Sequence, residues 1–412
     1  MIKKIYLNSN KFLFYILPIS IVFSNFLANF TVYYLALFGS IIFLKKKNYI
    51  KKNILYIFLI FWLYITIRSL FTFEILFSLK SSLPLIRYLF FFIAVSYIIE
   101  QTKNFTKIFS FIFISFISLI CIDAFIQYIF KTNLLGHTES VLNRISGFFS
   151  GRFVLGTYIS KLIFLLLILL NINLPINKFK LIYFIIFLIS LFIILISGDR
   201  ASLGLFLLSF LTIFILIDSR YFTIFNKIFS LIFISIFTFL LIFSVESFKS
   251  RFYFQTLNDV NEADKVFFFS KGHQSHWQTS YKMFADNKLF GKGPNMFRFI
   301  CDKEKFNSGK KSCSTHPHNY HIQLIGETGI IGYFLFLSLY ITLIFFLIKQ
   351  LYYVYIKKSY YLSFNKLVLL SLTFSNFWPI ITTGNIFSSF TLNLVFFPLC
   401  FYYLNEKNIK KN

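Results

Sequence analysis

The chain has 412 residues, of which 57% are hydrophobic, 22% aromatic and 14% charged, and its mean hydropathy is +0.73. Soluble domains contain about 45–50% apolar and about 25% charged residues, so this composition excludes disordered, collagen-like and coiled-coil proteins and argues against a soluble globular enzyme. The net charge of +26 comes from basic residues in short clusters between apolar runs, which is typical of membrane-protein loops rather than of a nucleic-acid-binding surface. We therefore predict an all-α polytopic membrane protein.

Twelve apolar segments are candidates for membrane-spanning helices, which need about 20 mostly apolar residues. In chain order they are residues 11–26, 29–44, 53–70, 83–99, 107–130, 153–172, 181–197, 201–217, 227–245, 320–348, 365–383 and 386–404. The predicted organisation is residues 1–245 with helices one to nine, residues 246–319 as one large polar loop, and residues 320–412 with three helices and a tail. Within the large loop, a further helix is predicted over residues 274–287.

Basic residues mark one set of the short loops and therefore predict the orientation. They include Lys45 to Lys47, Lys178 with Lys180, and Lys407 with Lys410 and Lys411. Cytoplasmic loops carry the excess of Lys and Arg, so both termini are predicted to be cytoplasmic. By the parity of the helix count, the large loop is then predicted to be periplasmic.

The two cysteines of the large loop, Cys301 and Cys313, are close in sequence. In an oxidising compartment such a pair can form a disulfide, and we expect this structural pairing. Free thiols and a zinc site with His316 and His318 are the open alternatives, although structural zinc sites favour cysteines two to four residues apart.

The strongest local pattern is the run from Ser314 to Gly332, where the large loop enters the tenth predicted helix. It contains His316, His318 and His321. His318, followed by Asn319, places an imidazole at the start of a long helix, where its neutral form can accept a proton near neutral pH. The alternative interpretation is structural: a helix cap followed by a glycine-lined packing face.

A second pattern, Ser197 to Ser202, forms the predicted tight turn between the seventh and eighth helices. Arg200 lies there beside the N–H groups of a helix start, which suits an anionic ligand such as phosphate. The alternatives are an arginine that extends to lipid headgroups or one that is neutralised by the adjacent Asp199. Arg144, in the outer loop before the sixth helix, is a second candidate cation.

A third segment, Gly291 to Arg298, contains closely spaced glycines. It lacks the strand and helix context of a phosphate-binding loop, so we predict a tight turn that shapes the large loop. His273, His276 and Trp277 precede it and are predicted to line the same cleft.

Three of these places together resemble the O-antigen ligase/polymerase family of bacterial membrane proteins. They are the Ser-Gly-x-Arg turn at 197–200, the Gly291-x-Gly-x-Asn295 segment, and His318-Asn319 followed by Gly329 and Gly332. The resemblance covers about residues 140–340. It implies metal-independent glycosyl transfer without a cofactor at the periplasmic face of the inner membrane, in a fold of the inverting membrane-glycosyltransferase type. The donor would be a glycan on undecaprenyl diphosphate, and the acceptor a lipid A core hydroxyl in a ligase or a second lipid-linked glycan in a polymerase.

The resemblance also implies roles for individual residues. His318 would be the catalytic base or would orient the acceptor hydroxyl, and Arg200 would hold the donor diphosphate. The other substrate-binding residues are expected to be Arg144, His316, His273 and Asn319. His273 stands where family members often have a second loop arginine, and Arg144 and Arg298 are the candidates to replace that contact.

Ligase activity is favoured over polymerase activity, although the motifs do not separate the two. A transporter or lipid-linked glycan flippase is a further alternative, because ionisable residues inside a membrane often mark a transport pathway. The residues in or near the predicted spans that raise this alternative are Arg68, Arg87, Asp123 and Lys161.

Overall fold

The computed structural model describes residues 2–45, 52–138, 144–261, 270–309, 311–402 and 404. In this part of the chain the regular secondary structure is helical, apart from an isolated β-bridge between Thr132 and Thr138. The basic residues at 46–51 and 405–412, on which the predicted orientation partly depends, lie outside the described residues.

The helices follow the apolar segments of the sequence. The α-helices of the described chain are α1 (Ile2–Phe23), α2 (Asn25–Lys45), α3 (Lys52–Ser69), α4 (Ile75–Ser82), α5 (Arg87–Gln101), α6 (Phe105–Phe130), α7 (Leu155–Asn173), α8 (Ile176–Ile196), α9 (Arg200–Leu216), α10 (Ile224–Ser244), α11 (Glu246–Phe248), α12 (Gln255–Asn261), α13 (Lys271–Asp286), α14 (Phe297–Ile300), α15 (Tyr320–Tyr355), α16 (Phe364–Asn376) and α17 (Ser389–Leu399). Short 3₁₀ segments lie at Leu83–Ile86 and Gly147–Phe149, and a π-helical segment lies at Lys249–Phe254. Each of the twelve predicted segments overlaps a helix.

Seven helical segments of the described chain are long and apolar enough to cross a membrane. They are Asn25–Lys45, Ile75–Gln101, Phe105–Phe130, Leu155–Asn173, Lys178–Ile196, Ile224–Ser244 and Tyr320–Tyr355. Four apolar helices are shorter, namely Leu7–Phe23, Asn53–Ser69, Arg200–Leu216 and Ser389–Leu399. The architecture is that of a helical polytopic membrane protein, and the count of twelve spans stays a prediction.

The bundle is built around α7. This helix packs against α6, α8, α9, α16 and α17, and its side chains from Leu155 to Leu169 are nearly all buried. In contrast, α10 exposes large apolar side chains such as Phe225, Phe229 and Phe239. A helix that is apolar on its exposed side is suited to contact with lipid.

One end of the bundle carries residues 144–154, 197–200 and the large loop, and we call this end the loop face. The large loop has a small apolar core of its own, in which Met283, Phe297 and Phe306 pack with Cys301. Cys301 and Cys313 form a disulfide with their Cα atoms 5.0 Å apart. A covalent link of this kind is a common supplement to a small core.

Helix α15 is kinked at Gly329, where the backbone has φ 64° and ψ −170°. At the kink the turn from Gly291 to Arg298 pairs with the helix backbone, because Gly293 N donates to the Glu327 carbonyl at 2.7 Å. A β-carbon at Gly329 would lie 2.3 Å from the Leu289 carbonyl oxygen. The sequence suggested that the glycines after His318 form a face for close packing. At Gly329 such a close contact is present, but its partner is the backbone of the large loop rather than another helix.

Helix α16 ends at Asn376, whereas the sequence predicted that this segment continues to residue 383. Pro379 follows the observed end, and a proline cannot continue the hydrogen-bond ladder of a helix. Residues 377–388 are irregular, and the amide of Asn319 donates to the carbonyls of Pro379 and Ile381 at 2.7 and 3.0 Å. The irregular segment is thereby attached to the start of α15.

An apolar cavity of about 340 Å³ lies between α3, α5, α15, α16 and α17. Its lining includes Phe58, Leu324, Phe336, Phe377 and Phe387. The cavity therefore adjoins the helix that begins after His318.

Candidate functional site

His318 stands immediately before α15 in an unusual backbone conformation. Its φ is +56°, a left-handed value that is uncommon outside glycine and that costs roughly 1–3 kcal/mol. The His318 carbonyl accepts a hydrogen bond from Thr383 N at 2.8 Å. Next to it, Asn319 caps α15 by accepting from Ile322 N at 3.0 Å. The irregular segment and the cap therefore fix the backbone that presents the His318 ring.

Four imidazoles meet at this point, and we call His273, His276, His316 and His318 the histidine cluster. The ring centroid of His318 lies 5.2 Å from that of His273, 5.3 Å from His276 and 4.1 Å from His316. Helix α13 supplies the first two rings, and the end of the large loop supplies the other two. The cluster thus joins two separate segments of the loop face.

Burial and mutual proximity make the histidine cluster hard to protonate. Burial, followed by the neighbouring imidazoles His316, His273 and His276, lowers the pKa of His318 to about 3. Burial also lowers the pKa of His276 and of His316 to about 4. These rings are neutral near pH 7, so each has a lone pair for a hydrogen bond or for a proton.

The ring nitrogens of the cluster differ in what they contact. His316 is held at both nitrogens, by the Thr315 hydroxyl at 2.8 Å and by the Thr383 carbonyl at 3.3 Å. Nδ1 of His273 contacts the Ser270 hydroxyl at 2.7 Å. Among the described residues, no hydrogen bond is seen at either ring nitrogen of His318. His318 is thus the member of the cluster that is best placed to bind a further group.

The Arg200 turn is built by a glycine and a helix cap. Gly198 adopts a φ of +63°, and Asp199 caps α9 by accepting from Ser202 N at 3.1 Å. The Asp199 carboxylate also accepts from the hydroxyls of Ser202 and Thr157 at 2.6 and 3.0 Å. Asp199 therefore serves as a cap, and the partner of Arg200 comes from elsewhere in the chain.

That partner is Asp259 on α12. Nη2 of Arg200 lies 2.6 Å from Oδ2 of Asp259, and Nη1 donates to the Thr256 hydroxyl at 3.1 Å. The side chains of Arg200 and Asp259 are 32% and 28% exposed, so solvent reaches this ion pair.

Two further arginines lie against the same turn. Nε of Arg144 donates to the Ser197 carbonyl at 3.3 Å, and Nε of Arg251 donates to the Gly198 carbonyl at 2.9 Å. We call Arg144, Arg200 and Arg251 the arginine cluster. Burial, followed by the charges of Arg144 and Arg200, lowers the pKa of Arg251 to about 10, which leaves Arg251 charged at neutral pH.

His273 connects the two clusters. On one side its ring contacts His318, and on the other its pKa responds to Arg200 and Asp259. Burial is the main cause that lowers the pKa of His273, the Arg200 charge adds to this effect, and the Asp259 charge opposes it. His273 therefore contacts the ring of His318 and lies within electrostatic range of Arg200 and Asp259.

The remaining predicted residues have other surroundings. Asn319 is fully buried and bonded to backbone groups, and its substrate-binding role stays a prediction. His321 lies in the first turn of α15, where its ring contacts the Tyr333 hydroxyl at 3.0 Å and the Phe377 carbonyl at 2.7 Å. Arg298 donates to Oδ1 of Asn295 at 3.4 Å, and its charge acts on His316.

The ionisable residues in and near the spans are bonded at separate places. Arg68 donates to the Gly291 carbonyl at 2.7 Å, and Arg87 donates to the Ser389 hydroxyl at 2.9 Å. Asp123 accepts from Leu134 N at 2.9 Å, and Lys161 lies 3.5 Å from the Tyr320 hydroxyl. Their hydrogen bonds do not form one continuous polar path among the described residues.

A metal site has limited support in the geometry. Among the described residues, the group of potential metal ligands with mutually close atoms is Cys301, Asp302 and Cys313. The two cysteine sulfurs are bonded to each other, whereas a metal ligand would be a thiolate.

Sequence reasoning identified most of the clustered side chains but missed Arg251 and Asp259. Neither residue stands in a recognisable motif, and both lie more than 50 positions after Ser197 in the sequence. The one available signal was that both are charged residues in the segment that follows the ninth predicted helix.

Residues 185–337 match a family model described as O-antigen ligase. The matched segment includes the Arg200 turn, the described part of the large loop, and the start of α15 with its kink. A comparison of the chain with curated proteins gives no match.

Proposed function

On the premise that the chain belongs to the O-antigen ligase/polymerase family, as the match over residues 185–337 supports, we propose that it is an O-antigen ligase. It transfers a glycan from undecaprenyl diphosphate to a hydroxyl of the lipid A core. The reaction takes place at the periplasmic face of the bacterial inner membrane, without a metal or cofactor. The observation that carries this proposal is that His273 contacts the ring of His318 and also lies within electrostatic range of Arg200.

The two clusters correspond to the two charges that are transferred in this reaction, namely the proton of the acceptor hydroxyl and the negative charge of the leaving diphosphate. The acceptor hydroxyl gives its proton to a ring nitrogen of His318 while its oxygen attacks the anomeric carbon of the glycan. The bond from that carbon to the diphosphate breaks, and the leaving undecaprenyl diphosphate gains a negative charge. Arg200 and Arg144 bind this charge as it develops, which is where electrostatic stabilisation is most effective.

The neighbouring residues orient these groups. His316, fixed at both ring nitrogens, supports the His318 ring at a centroid distance of 4.1 Å. His273 lies between the base and the phosphate site and is proposed to bind the donor there. Asn319 acts from the helix cap, where it holds the backbone of His318.

A polymerase uses the same donor and the same leaving group, so the site supports both chemistries. Membrane polysaccharide from a deletion strain separates the two on a gel. Unattached long chains indicate a ligase, whereas a single repeat unit on the core indicates a polymerase. Substrate that accumulates on the cytoplasmic leaflet indicates a flippase, for which the separate bonding of Arg68, Arg87, Asp123 and Lys161 gives no support.

We expect His318→Ala and Arg200→Ala each to abolish glycan transfer in the complemented deletion strain, with loss of at least about 10²-fold, the usual effect of removing a base or an electrostatic group. The measurement is the gel together with an immunoblot of the membrane fraction. His137→Ala is the matched control, because His137 contacts the Ser150 hydroxyl outside the cluster. Full activity of either cluster variant at normal protein level removes that residue from the mechanism.

A further inference from the structure

We propose that Arg251 is a third diphosphate-binding residue, alongside Arg144 and Arg200, and that the Asp259 carboxylate occupies the site until the donor displaces it. The inference rests on the proposed function, because it concerns how the same site holds the leaving diphosphate.

The first observation is the placement of Arg251. Its Nε donates to the Gly198 carbonyl at 2.9 Å, and its Nη1 donates to Oε1 of Gln255. A β-carbon at Gly198 would lie 3.1 Å from Cγ of Arg144 and 3.6 Å from Nε of Arg251. Both side chains therefore converge on one glycine, two residues before Arg200.

The second observation is the charge environment of Arg251. Among the described residues, the charges of Arg144 and Arg200 act on it from one side of the balance, and the carboxylates of Asp199 and Asp259 act on it from the other. Asp199 is engaged with Ser202 and Thr157 at the start of α9. Three cations held close together repel one another, so a bound anion with more than one charge relieves this repulsion.

The third observation is the nature of the Arg200–Asp259 contact. A carboxylate and a phosphate use the same guanidinium donors with the same geometry. The pair is partly exposed on both sides, and exposed ion pairs contribute little stability. A diphosphate, with more charge and more acceptor oxygens, can therefore displace Asp259 from Arg200.

These observations predict a preference for a diphosphate over a monophosphate. Arg144 and Arg251 lie against one turn, and the Arg200 side chain leaves the same turn toward α12. Three guanidiniums provide enough donors for two phosphate groups, whereas one phosphate engages fewer of them. Asp259 keeps Arg200 paired in the absence of the donor.

The test is calorimetric binding of farnesyl diphosphate and farnesyl monophosphate to the full chain in detergent. We expect Arg251→Gln to weaken diphosphate binding about tenfold, which corresponds to about 1.4 kcal/mol, and to reduce the preference over monophosphate. We expect Asp259→Asn to strengthen diphosphate binding about threefold or more. Lys288→Gln, which removes an exposed charge from the same loop, is expected to bind like the wild type.

The outcomes separate this inference from the proposed function. Unchanged diphosphate binding in Arg251→Gln, or unchanged or weaker binding in Asp259→Asn, overturns the inference. An equal loss for both ligands in Arg251→Gln also overturns it, because a purely structural arginine would act in that way. Arg200→Gln is measured in parallel: if it weakens binding while Arg251→Gln does not, only the inference fails, and if neither weakens binding, the proposed diphosphate site fails as well.

Discussion

The imidazole of His318 is suited to accept a proton because it is neutral, although its basicity in the unliganded protein is low. Burial and three neighbouring rings lower its pKa to about 3, so the ring is neutral near pH 7. A bound diphosphate beside the cluster would favour the imidazolium form and raise this pKa. In the proposed mechanism, donor binding thus brings His318 closer to the basicity that proton transfer requires.

This coupling predicts two different pH profiles. Because kcat/KM reports the ionisations of the free enzyme, its acidic limb is expected well below pH 6.5, the ordinary pKa of an imidazole. The acidic limb of kcat reports the enzyme–substrate complex and is expected at a higher pH than that of kcat/KM. The measurement is transfer of a labelled glycan in nanodiscs between pH 4 and pH 8. An acidic limb of kcat/KM near pH 6.5 would contradict the low pKa of His318.

At the residue scale the sequence identified side chains that stand in motifs. His318, Arg200 and Arg144 were predicted because each lies at a turn or helix start whose local chemistry can be read from adjacent residues. Arg251 and Asp259 could not be predicted in this way, since their roles depend on contacts with the distant Ser197–Arg200 turn. Sequence spacing alone does not specify such contacts.

At the scale of single elements, the kink of α15 is the place where the large loop is attached to this helix. The Gly329 backbone, with φ 64° and ψ −170°, lies in a region that only glycine adopts readily. On one side of the kink the helix pairs with the turn at Gly291 to Arg298, and on the other it continues into the bundle. The kink therefore couples the large loop to the helix that starts after His318 and Asn319.

We expect Gly329→Ala to lower the melting temperature strongly and to reduce glycan transfer, because the new β-carbon would lie 2.3 Å from the Leu289 carbonyl. Gly136→Ala is the matched control, since Gly136 also has a positive φ but has no atom within 4 Å of its β-carbon position. The free energy of unfolding of the control is expected to fall by only about 1–2 kcal/mol, the cost of a left-handed backbone for a residue other than glycine. Thermal unfolding in detergent measures both variants, and equal losses would show that the contact with the loop is unimportant.

Hydropathy located the helices but not all of their ends. A run of apolar residues specifies burial in lipid or protein, which is why each predicted segment overlaps a helix. It does not show that α4 begins at Ile75, before the predicted start at residue 83, because the Ile75–Ser82 stretch contains polar residues. The early end of α16 depends on Pro379 and on the distant Asn319 amide. Of these two, only Pro379 can be recognised from the sequence next to the helix.

At the scale of the whole molecule, α15 joins the loop face to the opposite end of the bundle. From the kink at Gly329 to its end at Tyr355 the helix extends about 40 Å at about 1.5 Å per residue, which exceeds the roughly 30 Å of a hydrocarbon core. Lys288, beside the kink, and Ser359, beyond the far end of α15, are both exposed. The two positions should therefore lie on opposite sides of the membrane.

The predicted orientation places Lys288 in the periplasm and Ser359 in the cytoplasm. With Cys121 and Cys400 replaced by serine, and with Cys301 and Cys313 bonded to each other, a single new cysteine reports its own accessibility. We expect a membrane-impermeant maleimide to label Lys288→Cys but not Ser359→Cys in cells whose outer membrane alone is permeable, and both after membrane disruption. The reverse pattern would place the histidine and arginine clusters on the cytoplasmic side. That result would contradict the proposed glycan transfer at the periplasmic face, because the proposed base and the proposed phosphate-binding residues both belong to the loop face.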